Sequence, residues 1–267
     1  MGRASPDSVA DDASAADSSS RRDRRFILAG VVLVAALSWL YVVPAARDMY
    51  GSMSGLASWM MQDHWTVRYG ALMFLMWTVM MAAMMLPSAI PAVLTFATIV
   101  RRRTQPDRPV ARTYAFAGGY LVAWTLFSAA VTVLQWLLSE AKLLSPMMES
   151  ASAPMSGFLL ALAGIYQWTP LKSACLENCR SPMIALSQRW RPGIAGALRM
   201  GLDYGIYCIG CCWALMLLLF AAGVMSLAAI TTITILVLLE KLAPFGAFGG
   251  RMTGAAMVVA GVWVAIG

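Results

Sequence analysis

The chain has 267 residues, of which 60% are hydrophobic and 12% are charged, and its formal net charge is +7. The charged fraction is about half that of an ordinary soluble domain, which excludes a soluble globular protein. Apolar runs of roughly 20 residues recur and never alternate with period two, so they predict transmembrane helices and exclude a transmembrane barrel. We therefore expect an all-α fold, a polytopic transmembrane helical bundle with about six to seven spans.

The N-terminal segment differs from the rest of the chain in composition. Its first part, "MGRASPDSVADDASAADSSS", is dominated by Ala, Ser and Asp. Such a segment buries too little apolar surface to offset the entropy lost on ordering. We predict a disordered cytoplasmic tail over residues 1–25 and a transmembrane helical domain over residues 26–267.

Seven apolar segments are predicted as membrane spans. They are 26–44, 69–98, 112–138, 155–171, 200–222, 225–243 and 251–267. With a cytoplasmic N-terminus, every Lys and Arg except Arg47, Arg68 and Lys142 lies on the cytoplasmic side, as the positive-inside rule requires. The basic residues therefore flank the spans and do not form a nucleic-acid surface, so nucleic acid is excluded as a partner. We expect a multi-pass protein of the bacterial inner membrane whose apolar faces contact the lipid bilayer.

The second predicted span, within "MWTVMMAAMMLPSAIP", carries a row of methionines before Pro87 and Pro91. At about 100° per residue, four thioethers share an arc of roughly 80° on one helix face. This methionine stripe consists of Met73, Met76, Met80 and Met84. Methionine fills irregular gaps well, so packing alone accounts for such a stripe. Thioethers are also soft ligands that suit Cu(I), so the stripe is a candidate metal path.

The cysteines form two groups, in "KSACLENCRSP" and in "YCIGCCWALM". They are Cys175, Cys179, Cys208, Cys211 and Cys212. On a helix the members of each group share one face. In the predicted orientation all of them face the reducing compartment, where clustered free thiols act as metal ligands or redox groups. The only histidine, His64, is predicted on the opposite side, so a zinc site is disfavoured and a soft, sulfur-only site is favoured.

Other residues near the two cysteine groups indicate how the helices pack. Gly201 and Gly205 form a small-xxx-small pair on the cysteine face of the fifth predicted span, which predicts the close approach of another helix. Glu240 and Lys241 end the sixth predicted span and are expected to form an interfacial pair. No Walker motif is present, which disfavours ATP-driven pumping by this chain alone. No catalytic residues are assigned, so whether the protein is an enzyme stays open, with a non-enzymatic function favoured.

Four blocks resemble a known family: "MWTVMMAAMMLPSAIP", "AGIYQWTPLKSACLENCRSP", "GLDYGIYCIGCCWALM" and "EK" at 240–241. The sequence is similar there to a bacterial family described as predicted metal-binding integral membrane proteins, otherwise a domain of unknown function. The resemblance covers about residues 70–245, and the cysteine blocks are its most specific part. It implies a helical membrane protein that binds metal, and it implies no particular reaction.

The leading hypothesis is an integral membrane protein that binds a soft metal ion, Cu(I), in transport or metallocentre assembly. The predicted ligands are Cys175, Cys179, Cys208, Cys211, Cys212, Met73, Met76, Met80 and Met84. Other membrane subunits and a cytoplasmic metallochaperone are candidate partners. Two alternatives remain open: a membrane thiol-disulfide oxidoreductase, and a structural subunit of a membrane complex.

Overall fold

The computed structural model describes residues 6–51, 64–103, 108–145, 148, 150, 152–243 and 246–266. Its helices are α1 (Pro6–Met49), α2 (Val67–Arg103), α3 (Pro109–Glu140), α4 (Ala153–Tyr166), α5 (Pro170–Arg180), α6 (Pro182–Gln188), α7 (Gly193–Leu217), α8 (Leu219–Ala222), α9 (Leu227–Leu242) and α10 (Gly246–Ile266). Within these ranges the only extended pairing is an isolated bridge between Leu144 and Ser150. The predicted all-α helical bundle is confirmed.

Five helical segments are long and apolar enough to cross a membrane. They are Arg21–Met49 in α1, Val67–Arg102 in α2, Pro109–Glu140 (α3), Gly193–Ala222 (α7 with α8) and Phe248–Ile266 in α10. They correspond to the first, second, third, fifth and seventh predicted spans. Helix α1 begins inside the segment predicted as a disordered tail, and the domain boundary at residue 25 remains a prediction.

The other two predicted spans, 155–171 and 225–243, correspond to short helices. Helix α4 has 14 residues and α9 has 16, so at 1.5 Å per residue they are about 21 and 24 Å long, less than the roughly 30 Å hydrocarbon core. Buried polar side chains mark their ends: Gln167 directly follows α4, and Glu240 and Lys241 lie in the last turn of α9. The described part of the chain thus has five full-length candidate spans, and the total of six to seven remains a prediction.

Proline sets the end of α4. Pro170 disfavours helical backbone at the residue before it, which is Thr169. Thr169 instead caps α5, because its hydroxyl accepts a hydrogen bond from the backbone N–H of Lys172 at 3.3 Å. The predicted span 155–171 is therefore divided into α4 and the start of the helix that carries the first cysteine group.

Helix α3 packs closely against α7 at the two glycines that the sequence singles out. A Cβ atom at Gly201 would lie 1.9 Å from the carbonyl oxygen of Phe116, and one at Gly205 would lie 2.5 Å from the Cβ of Ala123. The predicted close approach is therefore present, and the approaching helix is α3. This contact brings Tyr120, which lies between Phe116 and Ala123, against the cysteine face of α7.

Helix α2 lies at the centre of the described structure. It is the most buried of the five candidate spans and runs continuously through both of its prolines. It packs against α1, α3, α6 and α9. The methionine stripe and the second cysteine group consequently belong to the same buried core.

Candidate metal centre

Three of the five thiols come from one face of α7. Cys208, Cys211 and Cys212 are all buried, with no more than 2% of each side chain exposed. The thiols of Cys211 and Cys212 donate hydrogen bonds to the backbone carbonyl of Cys208 at 3.1 and 2.9 Å, because residues three and four positions on lie over that carbonyl. Helical spacing alone thus gathers these three sulfurs around one turn of α7.

Cys179 brings the two cysteine groups together. It lies in the last turn of α5, is buried, and its thiol lies within interaction range of the Cys208 and Cys211 side chains. Polar interaction with those two side chains, followed by burial, raises the pKa of the Cys179 thiol well above its ordinary value. The Tyr204 hydroxyl donates to the Cys179 carbonyl oxygen at 3.2 Å and fixes the end of α5 against α7. Cys179 therefore connects the two cysteine groups. Sequence spacing alone does not determine this contact.

Cys175 lies one turn earlier on α5 and is the only partly exposed thiol of the five. Its sulfur packs on the bare backbone of Gly210, where a Cβ atom would lie 2.6 Å from the Cys175 Sγ. Burial, and secondly the charge of Cys211, raise the pKa of the Cys175 thiol above its ordinary value. Gly210 therefore allows the partly exposed thiol to approach the buried ones.

Cys208 also contacts polar groups from two other helices. Its Sγ accepts a hydrogen bond from the Lys241 ammonium group at 2.9 Å and lies 3.1 Å from the Tyr120 hydroxyl. Lys241 donates at 2.9 Å to Ser88 as well, and Tyr120 donates at 3.1 Å to the carbonyl oxygen of Met85. Helices α3, α7 and α9 therefore meet at the Cys208 sulfur, and α2 binds the two polar groups that contact it.

Glu240 and Lys241 are not the interfacial pair that the sequence predicts. Both are buried, at 5% and 6% exposure, and their side chains point to different partners. The Glu240 carboxylate forms an ion pair with Lys172 at 2.7 Å and accepts a hydrogen bond from Gln167 at 3.0 Å. The expectation was wrong because the partners of these residues come from distant parts of the chain.

Sequence reasoning missed Lys241, Tyr120 and Ser88 as neighbours of the thiols. Lys241 was detectable, because an ionisable residue inside an apolar segment is a functional candidate by default. Tyr120 and Ser88 carry no such signal, since hydroxyl residues are common in membrane helices.

The methionine stripe is fully buried in α2, where all four side chains have 0% exposure. The Met73 Sδ accepts a hydrogen bond from the Gln135 amide at 3.7 Å, and the same amide group accepts one from the Trp77 indole at 2.7 Å. At 1.5 Å per residue, Met84 lies about 6 Å along the helix from Ser88 and Met73 about 22 Å from it. The stripe thus extends away from the thiols along α2, and its role as a set of ligands remains a prediction.

The donor chemistry of the thiols fits a soft metal ion, but their present arrangement is not a finished coordination site. Within the described ranges, no group of three or more His, Cys, Asp or Glu side chains is positioned to hold a metal ion. The Cys211 and Cys212 thiols point instead to a backbone carbonyl. Coordination would require these thiols to lose their protons and rotate toward Cys179 and Cys208.

Comparison with known protein families identifies a copper-related family. The model of the PpoB2 family, described as "Copper chaperone", matches residues 74–264, a segment that begins one residue after Met73 and contains all five cysteines. No curated protein and no solved structure matches the chain. The matched family is related to copper, and the matched segment extends beyond residue 245 into α10. Because this match covers most of the chain, the protein belongs to the PpoB2 copper chaperone family.

Proposed function

We propose that this protein is a multi-pass protein of the bacterial inner membrane that holds Cu(I) on its thiols and delivers it to a copper protein. The observation that carries the proposal is the contact of Cys179 on α5 with Cys208 and Cys211 on α7. A site built only from sulfur selects Cu(I) over ions that prefer nitrogen or oxygen. Membership of the copper chaperone family supports the same metal.

Cu(I) would be held by the thiolates of Cys179 and Cys208, with Cys211 and Cys212 as further ligands. The partly exposed Cys175 would pass the ion to or from a partner by ligand exchange. In each exchange one copper–sulfur bond forms as another breaks, and the proton lost by the incoming thiol goes to the outgoing thiolate. This relay needs no oxidant and no nucleotide, which favours delivery for metallocentre assembly over driven transport.

The methionine stripe would extend the sulfur path along α2. Thioethers bind Cu(I) without losing a proton, and as neutral donors they bind it more weakly than anionic thiolates do. We propose that Met76, Met80 and Met84 guide copper toward or away from the thiols, with Met73 as the most distant member. Their complete burial supports a closed path but is equally typical of core packing.

Copper binding by the purified protein is the direct test. The protein in detergent, reduced and kept free of oxygen, should retain stoichiometric Cu(I) against a chromogenic chelator, and Cys179→Ser or Cys208→Ser should abolish this. Ser128→Ala is the matched control, because Ser128 is buried but bonds only within α3, to the Trp124 carbonyl. Retention of copper by a variant lacking all five cysteines would overturn the proposal.

Membrane orientation is tested separately. We propose that the N-terminus is cytoplasmic, so that a reporter fused after Arg103 is cytoplasmic and one fused near Lys142 is external. The basic residues that flank the five candidate spans support this orientation. The opposite pattern would place the thiols in an oxidising compartment and remove the basis for a Cu(I)-thiolate site.

The same thiol contact also permits a second function. Cys179 and Cys208 lie close enough for hydrogen bonding, so disulfide exchange between α5 and α7 is a specific alternative. Alkylation of intact cells followed by mass spectrometry separates the two functions. A disulfide that forms and disappears with the redox state of the cell would favour the oxidoreductase, and thiols that stay reduced would favour the copper chaperone.

A further inference from the structure

Lys241 is a buried cation whose hydrogen-bond acceptors are a thiol and a hydroxyl group. Only 6% of its side chain is exposed, and its ammonium group donates to the Cys208 Sγ and to the Ser88 Oγ, both at 2.9 Å. Among the described residues, no carboxylate forms an ion pair with it. An ionised amine in such a place is costly unless a nearby negative charge compensates it. The net charge of the groups around Lys241 therefore affects which ions can bind there.

The nearest carboxylate in sequence is already engaged elsewhere. Glu240 precedes Lys241 on α9, but its two oxygens accept hydrogen bonds from Lys172 and Gln167. Lys172 and Glu240 cancel each other's charge at 2.7 Å. The last turn of α9 therefore presents one uncompensated positive charge, that of Lys241, to the sulfur of Cys208.

This charge decides which metal ions leave the loaded site neutral. With Cys211 and Cys212 still protonated, a monovalent ion on the thiolates of Cys179 and Cys208 forms an anionic complex, which the ammonium group of Lys241 neutralises. A divalent ion on the same thiolates forms a neutral complex, and Lys241 then leaves a net positive charge in a buried place. Since an uncompensated buried charge is strongly unfavourable, the monovalent ion is preferred.

We propose that Lys241 is a specificity-determining residue that makes the thiol site prefer monovalent soft cations, such as Cu(I) and Ag(I), over divalent ones. The proposal rests on the thiol site put forward above. Lys241 acts on the metal through space and through Cys208, and Ser88 and Cys208 hold its ammonium group in position.

The size of the effect follows from the distance. With 2.9 Å between the Lys241 Nζ and the Cys208 Sγ and a metal–sulfur bond of about 2.3 Å, the metal would lie roughly 5 Å from the ammonium nitrogen. One unit of extra metal charge at that distance, with an effective dielectric constant of about 20, changes the relative affinity about 300-fold. Both classes of ion displace the same thiol protons, so this ratio is independent of proton release.

The test compares Ag(I) and Cd(II) as probes in a chelator competition with purified, reduced protein. Lys241→Met should lower the ratio of Ag(I) affinity to Cd(II) affinity about 300-fold, whereas Lys241→Arg should stay within a few-fold of wild type. Lys241→Gln keeps a hydrogen-bond donor but loses the charge, so it should lower the affinity ratio as Lys241→Met does. If Lys241→Met does not fold, Lys241→Gln takes its place in the test. The double variant Lys172→Met/Glu240→Gln is the matched control, since it removes a buried ion pair without changing the net charge.

The outcomes separate this inference from the proposed function. If wild type retains Ag(I) and Cu(I) through its cysteines but the neutral Lys241 variants keep the wild-type ratio, the role of Lys241 is overturned and the thiol site stands. If wild type retains neither ion, the thiol site itself is overturned. An equal decrease of the Ag(I)-to-Cd(II) affinity ratio in the Lys172→Met/Glu240→Gln control would assign the effect to general disturbance of α9. That result would also overturn the inference.

Discussion

Replacing Gly201 with Ala tests whether the packing of α3 on α7 sets the geometry of the thiol site. The added Cβ would lie 1.9 Å from the Phe116 carbonyl oxygen, whereas real contacts of this kind are at least 3.0 Å long, so the two helices must separate by about 1 Å. Overpacking of this kind costs roughly 1–3 kcal/mol, and the better helix propensity of Ala returns only about 0.5–1 kcal/mol. We therefore expect a less stable protein.

The same displacement should reach the metal centre. Tyr120 lies one turn after Phe116 on α3, and its hydroxyl is 3.1 Å from the Cys208 Sγ. A shift of about 1 Å lengthens this contact beyond hydrogen-bonding range. When Cys208 is a thiolate, the Tyr120 hydroxyl can turn to donate to it, and loss of that hydrogen bond should weaken Cu(I) binding about tenfold.

Thermal unfolding in detergent and Cu(I) competition measure the two effects. Gly118→Ala is the matched control on α3, because its Cβ would lie 3.9 Å from the Leu198 Cδ1, an ordinary contact. That variant should keep wild-type copper affinity and unfold at the same or a slightly higher temperature. If Gly201→Ala were indistinguishable from Gly118→Ala in both measurements, the close contact of α3 with α7 would not control the site.

Two further predictions concern the methionine stripe and the buried ion pair. Changing Met76, Met80 and Met84 together to Leu should leave folding near normal, since each exchange costs less than about 1.5 kcal/mol. Copper uptake or copper tolerance of the cells should fall. Unchanged copper handling would make the stripe a packing feature. Glu240→Gln should destabilise the protein by about 3–5 kcal/mol in unfolding assays, because it leaves the Lys172 charge buried without its partner. Adding Lys172→Met should restore much of the lost stability. A Glu240→Gln variant as stable as wild type would contradict the prediction.

The sequence predicts the helical class and the contact face of α7 because both depend on local patterns. Long apolar runs are sufficient to identify α2, α3 and α7 as helices, and the spacing of Gly201 and Gly205 marks a close approach. The identity of the approaching helix is not encoded locally. It depends on Gly119 of α3 as well, where a Cβ would lie 1.9 Å from the Leu198 carbonyl oxygen.

The ends of the short helices and the surroundings of Cys208 were not predictable from local patterns. Hydropathy continues past Tyr166 into α5, and it does not show that Gln167 bonds to Glu240, 73 positions further on. It likewise does not show that Lys241 reaches Ser88, 153 positions earlier. Polar residues at the end of an apolar run fit a membrane interface and a buried network equally well, and only the tertiary partners decide between them.

The position of Lys241 near the end of the chain has a consequence for how the protein is made. The ribosome completes all five cysteines before it reaches Lys241, which follows Cys212 by a whole helix. Until α9 has folded against the other helices, the thiols of α5 and α7 lack both the cation on Cys208 and the Lys172–Glu240 pair that joins α9 to α5. If the thiols bind Cu(I) as we propose, a nascent chain lacks the charge that would neutralise the loaded complex, and we expect copper loading to follow translation, when the last turn of α9 is in place.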